Sequence, residues 1–538
     1  AYEEWGIEAL QKFRGMFGIG IWDAKKQELY LVRDRIGVKP VYYSIHNDRL
    51  VFASEIKALL EDSDQERAVD EEAFFHFLSF LTTPAPMTLF KGIKKLPGGT
   101  WLKVTPDGNV EEHRYWDVWD NVTPMKKASE DEIAKKILST LKDAVSLRKV
   151  SDVPVGVFLS GGIDSSTNAA LFSEGETAQV KTFSIGYDKD YGSYKNELHY
   201  AKSVADRFGA KYFERKLTID DLMGFLPEMV RLQDEPIADP VCVPVYFVSK
   251  LARDNGVIVA QVGEGSDELF WGYPTWRLKL YLQRANDIPV PKFLKRLLLK
   301  KLKANGKEGS WPYTALERVL DGKPLFWGGA EAFTEAQKHD LLSPRLKEKF
   351  KGHTSFEGIQ GIWDRYQAKA WEKSHLNWMT YLDLNMRLAE LLLMRVDKMS
   401  MGVSLEGRVP FLDHKFVEVA MSIPSGVKTK WGNLKHILKK AVRGVIPDDI
   451  IDRPKQGFGV PVYEWLFDRL GKDIEKELLA FCKETDFFDE TTIRRYLKEP
   501  GAQLWYLYNF VLWYRQYIEE SYRRVGVSKY GSELHPIA

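Results

Sequence analysis

The chain has 538 residues, 44% apolar, 28% charged and 13% aromatic, a composition that packs cores and excludes a disordered or disulfide-built chain. Its 77 Lys and Arg against 76 Asp and Glu leave a formal charge of +1, so no overall basic excess points to nucleic acid. Two cysteines, Cys242 and Cys482, exclude a CxxC-type zinc or redox site and fit a reducing, cytoplasmic compartment; no apolar run nears the roughly 18 residues of a spanning helix.

Short β-branched and aromatic runs open the chain: Met16–Asp23, Glu28–Asp34, Val41–Asn47 and Arg49–Ser54, separated by turn-like segments. A hairpin follows, Thr100–Thr105 and Val110–Trp116 about Pro106-Asp107-Gly108-Asn109. Residues 1–117 therefore read as a β-rich module. The texture then changes. Ile133, Ile137, Leu138, Leu141 and Val145 predict a helix over Glu130–Leu147. Apolar strands Val153–Leu159, Lys181–Tyr187, Ala210–Leu217 and Val257–Val262 alternate with helical patterns, which predicts βαβ units and a parallel sheet. Helices dominate from about Trp371, with Leu388–Met394 a buried run. The Lys- and Leu-rich residues 285–310 read as a solvated amphipathic helix before a membrane or RNA patch.

The chemistry begins where the first parallel strand ends. Leu159 leads into Ser160-Gly161-Gly162-Ile163-Asp164-Ser165-Ser166, with a helix over Thr167–Glu174 expected next. Small residues let backbone N–H groups line a concavity, and the helix N-terminus adds positive potential, so phosphate is the natural occupant. Asp164 fits there if a cation such as Mg²⁺ offsets the charge. An ordinary glycine turn capping a helix is the alternative; the full strand–SGGxDSS–helix order favours a pyrophosphate loop. A second loop, Gly263-Glu264-Gly265-Ser266-Asp267-Glu268, follows another strand. Its three carboxylates repel unless a metal or ammonium group shares the site. Asp234, Glu235 and Asp239 read as a proline-stopped helix end before an acidic rim. The loop Arg453-Pro454-Lys455-Gln456-Gly457-Phe458-Gly459 supplies cations to neutralise phosphate oxygens.

Together RDRIGVKPVYY (Arg33–Tyr43), FASEIKALL (Phe52–Leu60), LSGGIDSS (Leu159–Ser166), GEGSDELFWGY (Gly263–Tyr273), EGRVPFLDH (Glu406–His414) and RPKQGFG (Arg453–Gly459) closely resemble the glutamine-dependent asparagine synthetase family, in order and over nearly the whole chain. The resemblance implies part of an Ntn-type (αββα) glutaminase over residues 1–117. Over 118–538 it implies an ATP-pyrophosphatase-like parallel-sheet domain with a helical C-terminal part. It implies adenylation of the aspartate side chain by ATP with release of pyrophosphate, then attack of ammonia, drawn from glutamine through a tunnel, on β-aspartyl-AMP. By the same resemblance Ser160, Gly161, Gly162, Asp164 and Ser165 hold pyrophosphate and Mg²⁺, and Leu159, Ile185, Val262 and Gly263 line the nucleotide. Asp267 shares the metal, Glu264 assists the adenylate steps and Lys455 stabilises the charged transition states. Val262 stands where many members carry Ser.

An Ntn glutaminase uses an N-terminal Cys as nucleophile, and Ala1 stands first here. The expectation is a chain that lacks the first part of that domain, does not hydrolyse glutamine and uses free ammonia, with residues 1–117 its least stable part and their strand edges unpaired or repaired by neighbours. Small-molecule partners are implied, with no nucleic acid or membrane and a homodimer left open. The same adenylating residues also suit another carboxylate, a sugar acid or a β-lactam precursor; a non-catalytic homologue is the third reading. Arg395, Asp397 and Arg408 read as structural ion pairs first.

Overall fold

The computed structural model describes residues 1–457, 459–466 and 469–519. Phe458 of the late basic loop and the last part of the 118–538 region, from 520 onward, lie outside them.

Six of the seven N-terminal strands form where alternation placed them: β1 (Gly18–Asp23), β2 (Glu28–Arg33), β3 (Tyr42–His46), β4 (Arg49–Ala53), β6 (Thr100–Val104) and β7 (Val110–Arg114). The seventh, β5 (Ile93–Lys95), is three residues long and too short to show a period. They build two antiparallel sheets, ordered β1-β2-β6-β7 and β4-β3-β5. Their end strands β1, β7, β4 and β5 have a strand neighbour on one side only. The helix Glu71–Phe80, N-capped by Asp70, buries Phe74, Phe77, Leu78 and Phe80, with Phe74 packed on Phe487, Phe488 and Phe510 of the helical part.

The helix Glu130–Leu147 has the expected bounds. Ser129 and Glu132 satisfy its first N–H groups as a capping box, and Ile133, Ile137, Leu141 and Val145 form its buried stripe. Beyond it lies an all-parallel sheet of five strands: β8 (Val155–Phe158), β9 (Lys181–Tyr187), β10 (Lys211–Leu217), β11 (Val259–Gln261) and β12 (Glu406–Arg408). β12 was not expected: Glu-Gly-Arg has no apolar alternation, and the strand forms because β11 offers it a ladder at Val259–Gln261.

Sheet order is β10-β9-β8-β11-β12. The chain grows outward from β8 in one direction through β9 and β10, then restarts on its other side at β11. In such sheets the crevice beyond the carboxyl ends of the strands at this reversal is where ligands bind. The Ser160 loop leaves β8 and the Glu264 loop leaves β11, so both open onto that crevice. One continuous apolar core runs from Phe74, Phe77 and Phe90 of the N-terminal part to Trp378, Leu391, Phe510 and Trp513 of the helical part. Among the described residues, no helix is long and apolar enough to cross a membrane.

Candidate active site

A cavity of about 410 Å³ opens at the reversal point. Leu159, Ser160, Gly162, Asp164, Ser165, Ile185, Val262, Gly263, Glu264, Asp267 and Lys455 all line it. These are the residues singled out from sequence, except Gly161.

Gly161 explains itself differently. Its φ is +72°, and a Cβ there would stand 2.6 Å from the Ala201 backbone nitrogen, so the turn demands glycine for its shape and for close packing. The following helix begins earlier than expected, at Ile163 rather than Thr167. Asp164 and Ser165 therefore sit in its first turn, beside N–H groups that have no partner within the helix. The Ser160 N–H donates to Ser165 Oγ at 3.1 Å, and the two hydroxyls lie 3.0 Å apart. Beyond this polar end, Phe158, Leu159, Ile185, Val245, Val248 and Val262 give the cavity an apolar wall suited to a purine.

Two of the three carboxylates of the acidic loop, Glu264 and Asp267, line the cavity on different cations, and the third, Glu268, does not reach it. Glu264 accepts from Arg395 Nη2 at 2.7 Å, and the same guanidinium holds Asp239 Oδ2 at 2.6 Å. Burial alone would lower the Arg395 pKa, but Asp239 and Glu264 outweigh it and hold it above the usual value. Glu268 turns away into the protein and accepts from the Tyr273 hydroxyl at 2.6 Å. Burial pushes its carboxyl up to about 7, against the pull of Arg387. Asp267 faces the cavity and binds Lys455 Nζ. Gly272 makes room for it, since any Cβ there would collide with the Asp267 carboxylate.

Sequence reasoning missed Lys435. Its Nζ lies 2.6 Å from both carboxylate oxygens of Asp164 and 2.6 Å from Asp267 Oδ1, with the side chain 3% exposed. Burial would lower its pKa, but the two acids hold it above the ordinary value. Asp267 in turn is held well below the carboxylate range: burial pushes it up, and Lys435 and Lys455 together prevail. No motif marks Lys435. It follows Asn433-Leu434 in an unremarkable stretch, adopts φ +55°, and takes its place through its N–H bond to the Phe270 carbonyl.

Asp164 and Asp267 are hard oxygen donors brought together at the phosphate end. That is the donor set Mg²⁺ takes alongside phosphate oxygens and waters. Among the described residues no three His, Cys, Asp or Glu side chains cluster to hold a metal alone. Elsewhere the ion-pair readings hold. Asp397 pairs with Lys39 at 2.7 Å and Arg408 with Glu406 at 2.8 Å. Asp234 is buried against Lys398, Lys57 and the Ile56 N–H.

Residues 136–515 match the family model described as asparagine synthase, and residues 1–116 the model described as glutamine amidotransferase domain. Asparagine synthetase (glutamine-hydrolyzing) 1 of Bacillus subtilis is 34% identical over 543 residues, covering 99% of this chain and 82% of that protein. A putative asparagine synthetase (glutamine-hydrolyzing) of Mycobacterium tuberculosis is 31% identical over 534 residues, covering 97% and 79%. A protein named amidase chry2, of Gibberella zeae, is 26% identical over 516 residues, covering 88% and 74%.

Proposed function

The chain belongs to the asparagine synthase family and is an ATP-dependent, amide-forming enzyme; from that premise we propose that it converts aspartate to asparagine through β-aspartyl-AMP. The observation that carries the reading is the convergence of the glycine turn, Asp164, Glu264, Asp267 and Lys455 on one cavity.

In this scheme the Ser160–Gly162 turn and the N-terminus of the Ile163–Ser173 helix receive the phosphates, and Ser160 and Ser165 turn their hydroxyls from each other to the ligand. The purine lies against Leu159, Ile185 and Val262. Asp164 and Asp267 would hold Mg²⁺, which supplies charge neutralisation for the phosphates when bound. An aspartate carboxylate oxygen attacks the α-phosphorus, the bond to the β-phosphate breaks, and pyrophosphate leaves. Lys455, on a loop at the cavity edge, meets the charge that develops on those oxygens. Ammonia then attacks the acyl carbon and AMP departs with the carbon–oxygen bonding pair. Glu264, oriented by Arg395, takes the proton that the nitrogen sheds.

Burial pushes the thiols of Cys242 and Cys482 up to about 12 and about 11, far from an activated thiolate. The second reading keeps the chemistry and changes the acceptor; the amidase-named relative at 26% identity favours keeping it. ATP–pyrophosphate exchange with a panel of carboxylates separates the two. Exchange that requires aspartate supports the first, exchange driven by another acid supports the second, and no exchange with any acid overturns both.

A further inference from the structure

The helix Lys292–Ala304 forms as its sequence predicts, but none of its residues is buried. Helices of a globular enzyme ordinarily lay their apolar stripe on the core. Here Phe293, Leu294, Leu297 and Leu298 are 60%, 45%, 57% and 49% exposed, and Ile288 and Val290 continue the apolar surface just before them. The half-buried side is Lys295, Leu299 and Leu302, turned toward the Trp311–Leu320 helix. At about 100° per residue, the four exposed apolar positions fan across roughly 140° of the helix. Lys292, Arg296, Lys300 and Lys303 follow along one flank. Lys301 falls inside the apolar arc, where its long stem lets the ammonium rise to the rim.

Charge is segregated to the same place. Ile288–Lys307 holds seven Lys or Arg and no acid, which leaves the rest of the chain at −6 out of a total of +1. We propose that this helix is a membrane-surface anchor that lies in the plane of an anionic phospholipid bilayer. Its leucines and Phe293 enter the acyl boundary and its cations meet the headgroup phosphates. Its 13 residues span about 20 Å, too short to cross a bilayer. A nucleic acid would engage the cations and leave the four apolar side chains in water. An acidic bilayer satisfies both arcs at once. The preceding helix, Pro274–Asp287, places Arg277 at the active cavity. From there the helix carries the chain about 15 Å along its axis to Asp287, at about 1.5 Å per residue, before the residues 288–291 lead into the anchor.

The test is co-sedimentation of the full chain with unilamellar vesicles of equal parts phosphatidylglycerol and phosphatidylcholine, against pure phosphatidylcholine. Binding to the anionic vesicles is expected to be at least about tenfold stronger and to weaken as salt rises. Leu294→Glu with Leu297→Glu, and separately Lys292→Gln with Arg296→Gln and Lys300→Gln, should each lower it about tenfold, with melting temperature and ATP–pyrophosphate exchange unchanged. Leu297→Ser serves if the double carboxylate variant melts early. Absence of binding to anionic vesicles, equal binding to neutral ones, unchanged binding by both sets of variants, or binding to duplex DNA in place of vesicles would each overturn the proposal.

Discussion

Arg33 and Glu390, 357 positions apart, meet at 2.9 Å with both side chains 1% exposed. The guanidinium is further satisfied by the carbonyls of Lys39, Leu96 and Gly37. A charge pair removed from water this completely is weak evidence of net stabilisation, but losing one partner strands the other. Glu390→Leu should therefore cost about 3–5 kcal/mol. Arg33→Met combined with Glu390→Leu should cost less than the two single changes summed. Urea melts of the three variants check both statements; additive losses would show that the pair does not couple.

Lys455→Ala should leave nucleotide binding nearly intact and slow adenylation by roughly 10²–10³-fold, as removal of a donor to developing charge does elsewhere. Its ammonium rests on Asp267 and its side chain is 26% exposed, so the fold does not depend on it. Isothermal titration with ATP and the rate of pyrophosphate release separate affinity from rate. Lost affinity with retained turnover would remove Lys455 from this role.

Lys435→Met should do more harm. It leaves Asp164 and Asp267 facing each other without the ammonium between them, a loss of about 3–5 kcal/mol for a buried pair stripped of its partner. Melting temperature should fall, and added Mg²⁺-ATP should restore part of it by binding the folded state. A variant that melts like the parent would show that the bridge contributes nothing.

Acid should destabilise the protein through His76. Its ring is 1% exposed, lies 3.2 Å from Ser355 Oγ, and burial, helped by Lys338, pushes its pKa down to about 4. The folded form keeps it neutral while the unfolded chain binds a proton below about 6.5. Stability is thus full above that pH and falls as the pH drops toward 4, by up to about 3 kcal/mol. His76→Gln should flatten the dependence of melting temperature on pH across that window. An unchanged slope would assign the acid sensitivity to other groups.

Much of the site was legible because its signals are local. The Ser160–Ser166 segment carries its own geometry in two glycines and a following helix, and Glu264 and Asp267 stand in one loop after one strand. What was not legible came from distance in sequence. Lys435 is an ordinary lysine until the fold sets it between Asp164 and Asp267. Asp239 gains meaning only through Arg395, which also orients Glu264. The same holds for the fold. Alternating strands such as β1, β2 and β9 declare themselves by period. β5 and β12, three residues each, exist because a neighbouring strand offers hydrogen bonds. The helix of residues 292–304 shows a third case. Its pattern predicted a helix correctly, but pattern alone does not say whether an apolar stripe is covered.

The ion pairs between the two parts of the chain carry a practical consequence. Glu390, Glu235, Asp397, Asp413 and Asp234 take their cations from Arg33, Lys95, Lys39, Arg14 and Lys57. Cutting near residue 117 would orphan Glu390, Glu235 and Asp397, leave Asp413 and Asp234 with only Arg148 and Lys398, and lay bare the aromatic floor beneath Phe74 and Phe90. The boundary that two family signatures draw on paper is no place for scissors, and the smallest piece worth producing for study keeps both sides of it.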